Sequence, residues 1–342
     1  MARPRIEPVA WRPMRAPARA RRRRGEREMP PVRLIAVPGP GPEDVAVAPD
    51  GRVYTGLADG RLFRVAPGGA VVVADTGGRP LGIEVDGDGE LVVCDAERGL
   101  LRVHPDSGRV ETLLAAGTPV GGAPLRLCNN AALATDGTVY FTDSSQRFAL
   151  EHWKADLIEH SGTGRLLCRR PDGRTEVVLT GLHFANGVAL SPDESYVVVA
   201  ETGAYRLTRR WLTGTRAGRV DRLVENLPGF PDNLSRGDDG LIWIAMASPR
   251  NALLDLLAPR APALRRALWA LPARLQPDPV DTVWVQAVDA EGRLVHDLQS
   301  TVPGFSMVTG VRAHAGTVWL GSLTAHHVAA FDLTPPPPGP QH

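Results

Sequence analysis

Short apolar runs of strand type, each broken by a tight turn, follow one another through most of the chain. Between Val32 and Leu333 a short apolar strand, a turn and a second strand rich in Val, Ile, Tyr or Trp recur six times, and long helical periodicity is almost absent. The turns of the six copies lie at Asp50, Asp88, Asp136, Asp193, Asp239 and Ala315. Most of their spacings approach the roughly 40 to 50 residues of a four-stranded propeller blade.

The repeat predicts an all-β fold, a six-bladed β-propeller over residues 32–334. Two insertions, at 144–164 and 248–279, account for the two longest intervals between copies. The second insertion has Leu, Ala and Trp at helical spacing interrupted by prolines, so we expect a helical flap in the fifth blade. We expect the N-terminal segment RLIAVPG to supply the outer strand of the last blade, which would close the ring and remove an exposed sheet edge.

Oxygen-bearing side chains recur at one register of the repeat. The residues seven positions before the turns are Glu43, Leu81, Asn129, Asn186, Asp232 and Val308. The first strand of each blade lines the channel of a propeller, so these positions converge at one mouth. Calcium prefers carboxylate and amide oxygens, whereas zinc and copper favour nitrogen or sulfur. The sequence therefore predicts a calcium site, with magnesium and manganese as alternative ions. Its expected ligands are Glu43, Asn129, Asn186, Asp232 and the adjacent Asn233. The competing interpretation is that each residue only caps a turn.

Composition excludes several classes of protein. The 342 residues are 43% hydrophobic and 23% charged, the balance of a soluble globular protein. The sequence contains neither a run of about 18 apolar residues nor the apolar stretch of a secretory signal, so we expect a cytoplasmic location. Cys94, Cys128 and Cys168 are scattered and form no CxxC pair, which argues against a disulfide framework and a zinc cage. The patterns of serine hydrolases and nucleotide enzymes are missing too.

The net charge of +1 hides a basic N-terminus on an acidic body. Residues 1–30 contain ten Arg and three Glu, which leaves 29 of the 39 basic and 35 of the 38 acidic residues for the remainder. We expect residues 1–31 to form a disordered tail rich in Arg and Pro, and residues 335–342 to form a second, Pro-rich one. The four arginines at 21–24 are the only basis for nucleic-acid binding, so we expect a solvated tail and no nucleic-acid partner.

Three segments carry a family resemblance: RPLGIEVDGDGELVVCDAERGLLRV, FANGVALSPDESYVVVAETGAYRLTRRWL and ENLPGFPDNLSRGDDGLIWIAM. Over residues 32–333 the chain resembles strictosidine synthase-like proteins, including the adipocyte plasma membrane-associated type. Its FANG and DN motifs are also similar to those of paraoxonases and, more distantly, of the gluconolactonase/regucalcin group. The resemblance implies a six-bladed, calcium-dependent propeller with esterase or lactonase chemistry, and it places the metal ligands at the same five residues.

Some positions depart from the patterns of these relatives. Plant strictosidine synthases have a catalytic Glu in the last blade, and the matching residue here is Thr309, which cannot serve as acid or base. Paraoxonases have a His where this chain has Leu81. Strictosidine synthase activity and the paraoxonase His mechanism are therefore not expected. Paraoxonases hold a second calcium partly through carboxylates that match Asp44 and Asn130, and the amide at Asn130 leads us to predict a single metal.

The leading functional hypothesis is metal-dependent hydrolysis of a lactone or a small carboxylic or aryl ester, with the metal polarising the carbonyl for attack by water. Glu43 or Asp232 is the expected proton acceptor, and His183, just before the FANG motif, is a further catalytic candidate. The alternative is a non-catalytic propeller that binds a metabolite or a protein partner and uses the metal as a staple. The sequence makes no prediction of oligomeric state.

Apolar residues outside the ring have simpler interpretations. For the flap we expect rim packing with pocket lining, and we rank membrane contact below it. Its apolar face is expected to consist of Leu253, Leu256, Leu257, Leu268 and Trp269. Trp243, Trp284 and Trp319 are expected in the core between blades.

Overall fold

A computed structural model describes residues 3–22, 25, 28–66 and 68–333. In this part of the chain six antiparallel sheets of four strands each follow one another as the blades of a β-propeller, which confirms the predicted fold. The strands of blades one to three are β2 (Val45–Val47), β3 (Val53–Gly56), β4 (Arg61–Ala66), β5 (Gly69–Asp75), β6 (Pro80–Val85), β7 (Leu91–Asp95), β8 (Gly99–His104), β9 (Arg109–Ala115), β12 (Cys128–Leu133), β13 (Val139–Asp143), β14 (Gly164–Arg169) and β15 (Thr175–Leu182). Those of blades four to six are β16 (Ala185–Leu190), β17 (Tyr196–Glu201), β18 (Arg206–Trp211), β19 (Val220–Val224), β20 (Gly229–Arg236), β21 (Ile242–Pro249), β22 (Val283–Val288), β23 (Leu294–Ser300), β24 (Val308–His314), β25 (Thr317–Ser322), β26 (His327–Asp332) and β1 (Arg33–Ala36). A small hairpin, β10 (Pro119–Val120) and β11 (Ala123–Pro124), joins blades two and three.

The ring closes in the sixth blade, where the two ends of the propeller chain meet. β1 pairs antiparallel with β26, with Arg33 opposite Ala330 and Ala36 opposite His327. The strand order in this sheet is β1, β26, β25, β24, so the N-terminal strand is the outermost one, as predicted for the RLIAVPG segment. Opening the ring would therefore break a complete strand ladder.

Apolar side chains from neighbouring blades fill the space between the sheets. Trp243 and Trp284, both in the fifth blade, are fully buried. Trp243 packs in a cluster with residues of the sixth blade, and Trp284 packs in a cluster with residues of the fourth. Trp319 is only half-buried at the edge of another cluster. The predicted position between blades is confirmed most clearly for Trp243 and Trp284.

Helices are concentrated in the two insertions, each of which follows the second strand of a blade. The insertion of blade three contains α1 (Trp153–Glu159), and that of blade five contains α2 (Ala252–Leu257) and α3 (Pro262–Ala270). The 3-10 turns are Ala18–Arg21, Leu150–His152, Thr202–Ala204, Gly214–Arg216 and Ala273–Leu275. The predicted helical flap of blade five is confirmed, whereas the helix of blade three was not predicted. None of the helices in the described ranges has the length and apolarity needed to cross a membrane.

Local sequence explains where the flap helices begin. The side chain of Asn251 caps α2 by accepting hydrogen bonds from the backbone N–H groups of Leu253 and Leu254 at 3.0 and 3.2 Å. α3 begins at Pro262, a position where the missing N–H of proline leaves no helical bond unmade.

The N-terminal segment lies against both insertions, which differs from the predicted disorder of residues 1–31. Ile6 is buried in a cluster with Phe148 and Trp269. The backbone N–H of Val9 donates to the carbonyl oxygen of Glu159 at 2.9 Å, and that of Trp11 donates to Ala258 at 3.1 Å. Composition could not show this, because a low average apolar content hides a few anchoring side chains. The predicted Pro-rich tail at 335–342 lies outside the described residues.

Candidate metal centre

In five of the six inner strands, pairing with the next strand skips two residues at the same place. The skipped pairs are Leu81 and Gly82, Asn129 and Asn130, Asn186 and Gly187, Asp232 and Asn233, and Thr309 and Gly310. In the first blade the corresponding Glu43 and Asp44 directly precede β2. Residues released from a strand ladder can aim their side chains away from the regular sheet direction. The predicted ligands therefore lie where the backbone is free to turn them towards a common point.

The sixth ring residue is Thr309 and not the predicted Val308. β24 and β25 are joined by a two-residue turn, whereas residues 134–138 join β12 and β13. Because the turn is shorter, counting back a constant seven residues from it misses the ring position by one. Val308 instead pairs with Ser322 and is buried between blades.

Four of the predicted ligands line one pocket. Glu43, Asn129, Asn186 and Asp232 come from four different blades and contribute to the same pocket lining, and each is at most 8% exposed. The fifth predicted ligand, Asn233, is also buried, and its Nδ2 donates to Glu43 Oε2 at 3.1 Å. The fold thus gathers side chains that are far apart in sequence, as the register of the repeat predicted.

Three amide oxygens of this cluster have no hydrogen-bond partner in the described residues. They are Asn129 Oδ1, Asn186 Oδ1 and Asn233 Oδ1. The amide nitrogens, by contrast, donate to Ser144 Oγ at 2.9 Å, Thr202 Oγ1 at 3.2 Å and Glu43 Oε2 at 3.1 Å, respectively. Each buried acceptor without a partner costs about 1–3 kcal/mol, and coordination to a cation would remove that cost. Together with two carboxyl groups, these oxygens fit a hard divalent cation such as calcium.

The carboxyl groups alone could not hold a metal ion at this site. Across the ranges that the structure describes, no three His, Cys, Asp or Glu side chains gather into a cluster that could hold a metal. A metal centre here therefore depends on amide oxygens, a donor type that suits calcium, magnesium or manganese better than zinc.

The pKa values of the two buried carboxyl groups of the pocket, Glu43 and Asp232, are raised, and burial is the main cause. The charges of Asp232 and Asp44 raise the pKa of Glu43 further, well above its usual value, while the cation of Arg79 and a hydrogen bond from Asn233 act in the opposite direction. The pKa of Asp232 rises to about 8. Buried carboxyl groups that repel one another in this way form a site that a divalent cation would neutralise.

Asp44 and Asn130, the candidates for a second metal, are engaged as ties between blades. Asp44 Oδ1 accepts a hydrogen bond from the backbone N–H of Val45 at 2.9 Å, and its Oδ2 accepts from Ile83 at 3.1 Å and from Asn130 Nδ2 at 3.3 Å. Asn130 Oδ1 accepts from the N–H of Val188 at 2.9 Å. These bonds link the first blade to the second and third and the third blade to the fourth, so the two side chains have a structural role without an ion.

The glycine of the FANG motif is explained by a close approach of two blades. A Cβ atom on Gly187 would lie 2.1 Å from the backbone nitrogen of Leu234, which no side chain could tolerate without movement of the backbone. Gly187 therefore lets the fourth and fifth blades meet directly beside Asn186 and Asp232.

His183 is not brought together with the carboxyl groups. Its ring stacks on His160, with 3.8 Å between centroids, and His160 in turn stacks on Trp11 at 4.0 Å. His183 is absent from the residues that line the pocket, where the adjacent Phe184 is found instead. Phe184 has a φ of 57°, which interrupts the alternation of a regular strand and defeats a prediction based on alternation.

The rest of the pocket lining is mostly apolar and draws on both insertions. Apolar lining residues include Leu150, Trp153, Leu157, Ile158, Phe184, Phe230, Leu254, Val280, Met307 and Leu323. Lys154 of α1 and Asp278 of the flap form an ion pair of 2.7 Å that joins the two insertions. The contribution of α1 was missed from sequence because an isolated seven-residue helix carries too short a periodic pattern.

The predicted apolar face of the flap is divided between different surroundings. Leu268 and Trp269 are buried and Leu257 is half-buried, while Leu253 and Leu256 are exposed. Trp269 of α3 packs in a cluster with Phe148 and Ile158 of the other insertion and with Ile6 of the N-terminal segment, so the expected packing on the propeller rim is not what this cluster shows. The pocket is lined by Leu254, which was not singled out.

Comparison with known proteins agrees with this architecture. Residues 129–215 match the strictosidine synthase family, and residues 31–65 match the family described as strictosidine synthase-like, N-terminal. The adipocyte plasma membrane-associated protein of Salmo salar is 35% identical over 321 residues, which cover 86% of this chain and 76% of the relative. Strictosidine synthase-like 6 of Arabidopsis thaliana is 35% identical over 305 residues, which cover 85% and 79%. The chain belongs to the strictosidine synthase-like family.

Solved structures share the propeller at much lower identity. A gluconolactonase from Xanthomonas campestris superposes with a TM-score of 0.64 at 17% identity, over 98% of this chain and 99% of the other. Regucalcin, a calcium-binding protein from Agrobacterium tumefaciens, superposes with a TM-score of 0.58 at 14% identity, over 91% and 94%. At these identities the likeness shows the fold of the strictosidine synthase-like chain and not its activity.

Two ring positions of this strictosidine synthase-like protein carry no acid or base. Thr309 Oγ1 donates to the backbone carbonyl oxygen of Glu43 at 2.7 Å. Leu81 packs in an apolar cluster with Leu127 and Phe184. Among the six ring residues, only Glu43 and Asp232 are therefore ionisable.

Proposed function

We propose that this strictosidine synthase-like protein is a calcium-dependent hydrolase of lactones or small carboxylic or aryl esters. The observation that supports the proposal is the group of three partnerless amide oxygens beside two buried carboxyl groups in an apolar pocket. The chemistry that calcium supplies when bound at such a centre is Lewis-acid polarisation of a carbonyl group. Magnesium and manganese are the alternative ions, because they use the same kind of donor.

Glu43 and Asp232 are the candidate proton acceptors. A carboxyl group whose pKa lies near neutrality can take a proton from an attacking water and return it to a leaving group. In the metal-free site burial raises the pKa of Asp232 to about 8 and that of Glu43 well above its usual value. A bound cation would lower both pKa values again and leave the carboxylates ionised and able to accept a proton. We assign no catalytic role to His183, because its ring lies outside the pocket lining, stacked on His160.

The pocket walls define the class of substrate. Trp153, Phe184 and Phe230 offer aromatic surface to an apolar acyl or aryl group, while polar groups come both from the ring residues and from the insertions. Apolar walls of this kind also exclude bulk water from the reacting carbonyl and strengthen electrostatic interactions in the site.

The test is a panel of aryl acetates and lactones assayed on metal-stripped protein with and without added calcium. We expect turnover that is lost on chelation and restored by calcium. Asp232→Ala should lose both turnover and calcium binding, whereas Asp50→Ala, in an exposed turn, is the matched control and should retain both. Full turnover and calcium binding in Asp232→Ala would contradict the assignment.

Thr309 and Leu81 support a second candidate function, a non-catalytic propeller that binds a metabolite or a protein partner and is stapled by its metal. Neither residue can serve as a general acid or base, so these two ring positions offer no proton transfer to a reaction. The same assay separates the candidates, since bound calcium without turnover on any substrate would favour the binding protein.

A further inference from the structure

Two of the amide ligands are held by hydroxyl groups from the neighbouring strand. Asn186 Nδ2 donates to Thr202 Oγ1 at 3.2 Å, and Asn129 Nδ2 donates to Ser144 Oγ at 2.9 Å. Both hydroxyl residues are buried, at 4% and 0% exposure. Neither residue was singled out from the sequence.

Ser144 and Thr202 occupy equivalent positions in blades three and four. In blade three, Cys128 is the last residue before the skipped pair; it pairs with Asp143, and Ser144 comes next along the chain. In blade four, Ala185 pairs with Glu201, and Thr202 comes next. In blades two, five and six the equivalent positions hold Ala96, Ala247 and Leu323. A hydroxyl thus accompanies an Asn in the ring, and an apolar residue accompanies a Leu, Asp or Thr.

The proton of the Thr202 hydroxyl helps to fix how the Asn186 amide is oriented, alongside a hydrogen bond between the side chains of Asn186 and Asp232. Thr202 Oγ1 donates its only proton to the carbonyl oxygen of Pro231 at 2.6 Å. Towards Asn186 this oxygen can therefore only accept, so the amide must present its NH₂ group. Rotating the amide by half a turn would place two acceptor oxygens in contact without a proton between them. The observed orientation leaves Asn186 Oδ1 buried and without a hydrogen-bond partner among the residues described.

We propose that Thr202, and Ser144 at the equivalent place, are positioning residues that fix the amides of Asn186 and Asn129 with their oxygens towards the cation. The inference rests on the calcium site of the proposed function. Removal of an outer-shell partner typically weakens metal binding by about 10- to 100-fold. We expect the larger effect at Thr202, because its proton is committed to Pro231.

The experiment measures calcium affinity by titration calorimetry, and the calcium-induced rise in Tm, on the metal-stripped full chain. Thr202→Val removes the hydroxyl at nearly constant volume, and calcium affinity should fall by about 10- to 100-fold. Thr202→Ser retains the hydroxyl and should bind calcium as the unaltered protein does. Ser144→Ala should show a smaller loss.

Thr282→Val is the matched control. Thr282 is buried, its Oγ1 accepts from Gln299 Nε2 at 3.0 Å and donates to the carbonyl oxygen of Ser300 at 3.2 Å, and it does not line the pocket. The control removes the same kind of hydroxyl bridge between an amide and a carbonyl, so calcium affinity should be unchanged.

Several outcomes would overturn the inference. A folded Thr202→Val that binds calcium normally would do so, as would equal losses in Thr202→Val and Thr282→Val, which would indicate a general structural effect. If Thr202→Val does not fold, unaltered calcium affinity in Ser144→Ala decides against the inference. If the unaltered protein does not bind calcium, the calcium site itself and the inference are both overturned. If the unaltered protein binds calcium and the variants bind it equally well, only the inference is overturned.

Discussion

The carboxyl group of Asp232 should make the calcium-free protein less stable than its Asp232→Asn variant. In the absence of calcium, burial raises the pKa of Asp232 from 3.8 to about 8. For a carboxyl group with a raised pKa, the contribution to stability is present at low pH and is lost as pH rises from the unfolded value towards the folded one. At 1.36 kcal/mol for each pH unit between 3.8 and 7, the loss at pH 7 is on the order of 4 kcal/mol. Asparagine has nearly the same shape and does not ionise.

The assay is urea unfolding of both proteins in EDTA at pH 7 and at pH 5. We expect the variant to be more stable at pH 7 by up to about 4 kcal/mol, and by only on the order of 2 kcal/mol at pH 5 because fewer pH units separate pH 5 from the unfolded pKa. Calcium at 1,000 times its Kd stabilises a protein by about 4.1 kcal/mol, which would cancel the difference at pH 7, and a larger excess should reverse the order because the variant should bind calcium poorly. A variant that is less stable than the unaltered protein in EDTA, or a difference that does not change with pH, would refute the reasoning.

Two further predictions concern residues beside the centre. Gly187→Ala should destabilise the protein by at least about 1–3 kcal/mol, because the added Cβ would lie 2.1 Å from the backbone nitrogen of Leu234; unaltered urea unfolding would show that the blades do not meet so closely. Burial lowers the pKa of His160 to about 2. Below pH 6.5 this imidazole therefore binds a proton in the unfolded chain and not in the folded one. Stability should therefore fall below pH 6.5 by up to about 1.4 kcal/mol per pH unit, and His160→Phe should reduce this slope in unfolding measured between pH 7 and 5.

The positions of the ring residues were predictable because every blade repeats the same strand and turn. Asn129, Asn186 and Asp232 could be located by counting, since the turns that follow them have similar lengths. The same count missed Thr309 because its turn has only two residues. A regular alternation suggested that His183 enters the channel, and the positive φ of Phe184 prevents this. Both differences come from local backbone geometry, which the pattern of residue types does not contain.

The parts of the site that lie outside the repeat were harder to infer. Residues 153–159 form a wall of the pocket, but a helix of two turns has no periodic pattern long enough to recognise. The hydroxyl groups of Ser144 and Thr202 did leave a trace, because they follow the second strands of the two blades whose ring residue is Asn. Aligning the second strands of the copies, and not only the first, would have revealed it.

One residue beside the ring, Asn233, does not behave like its counterparts in other blades, and this difference marks the centre of the site. The residues after the ring positions alternate between polar side chains at Asp44, Asn130 and Asn233 and glycines at 82, 187 and 310. Asp44 and Asn130 each accept a hydrogen bond from a backbone N–H of the following blade, from Ile83 and Val188 respectively. Asn233 instead turns its NH₂ group to Glu43 and leaves its oxygen buried without a partner in the described part of the chain. A buried acceptor without a partner is costly, and a bound cation would remove that cost. The unpaired oxygen of Asn233, at a position where two counterparts link blades, therefore supports the proposed metal site.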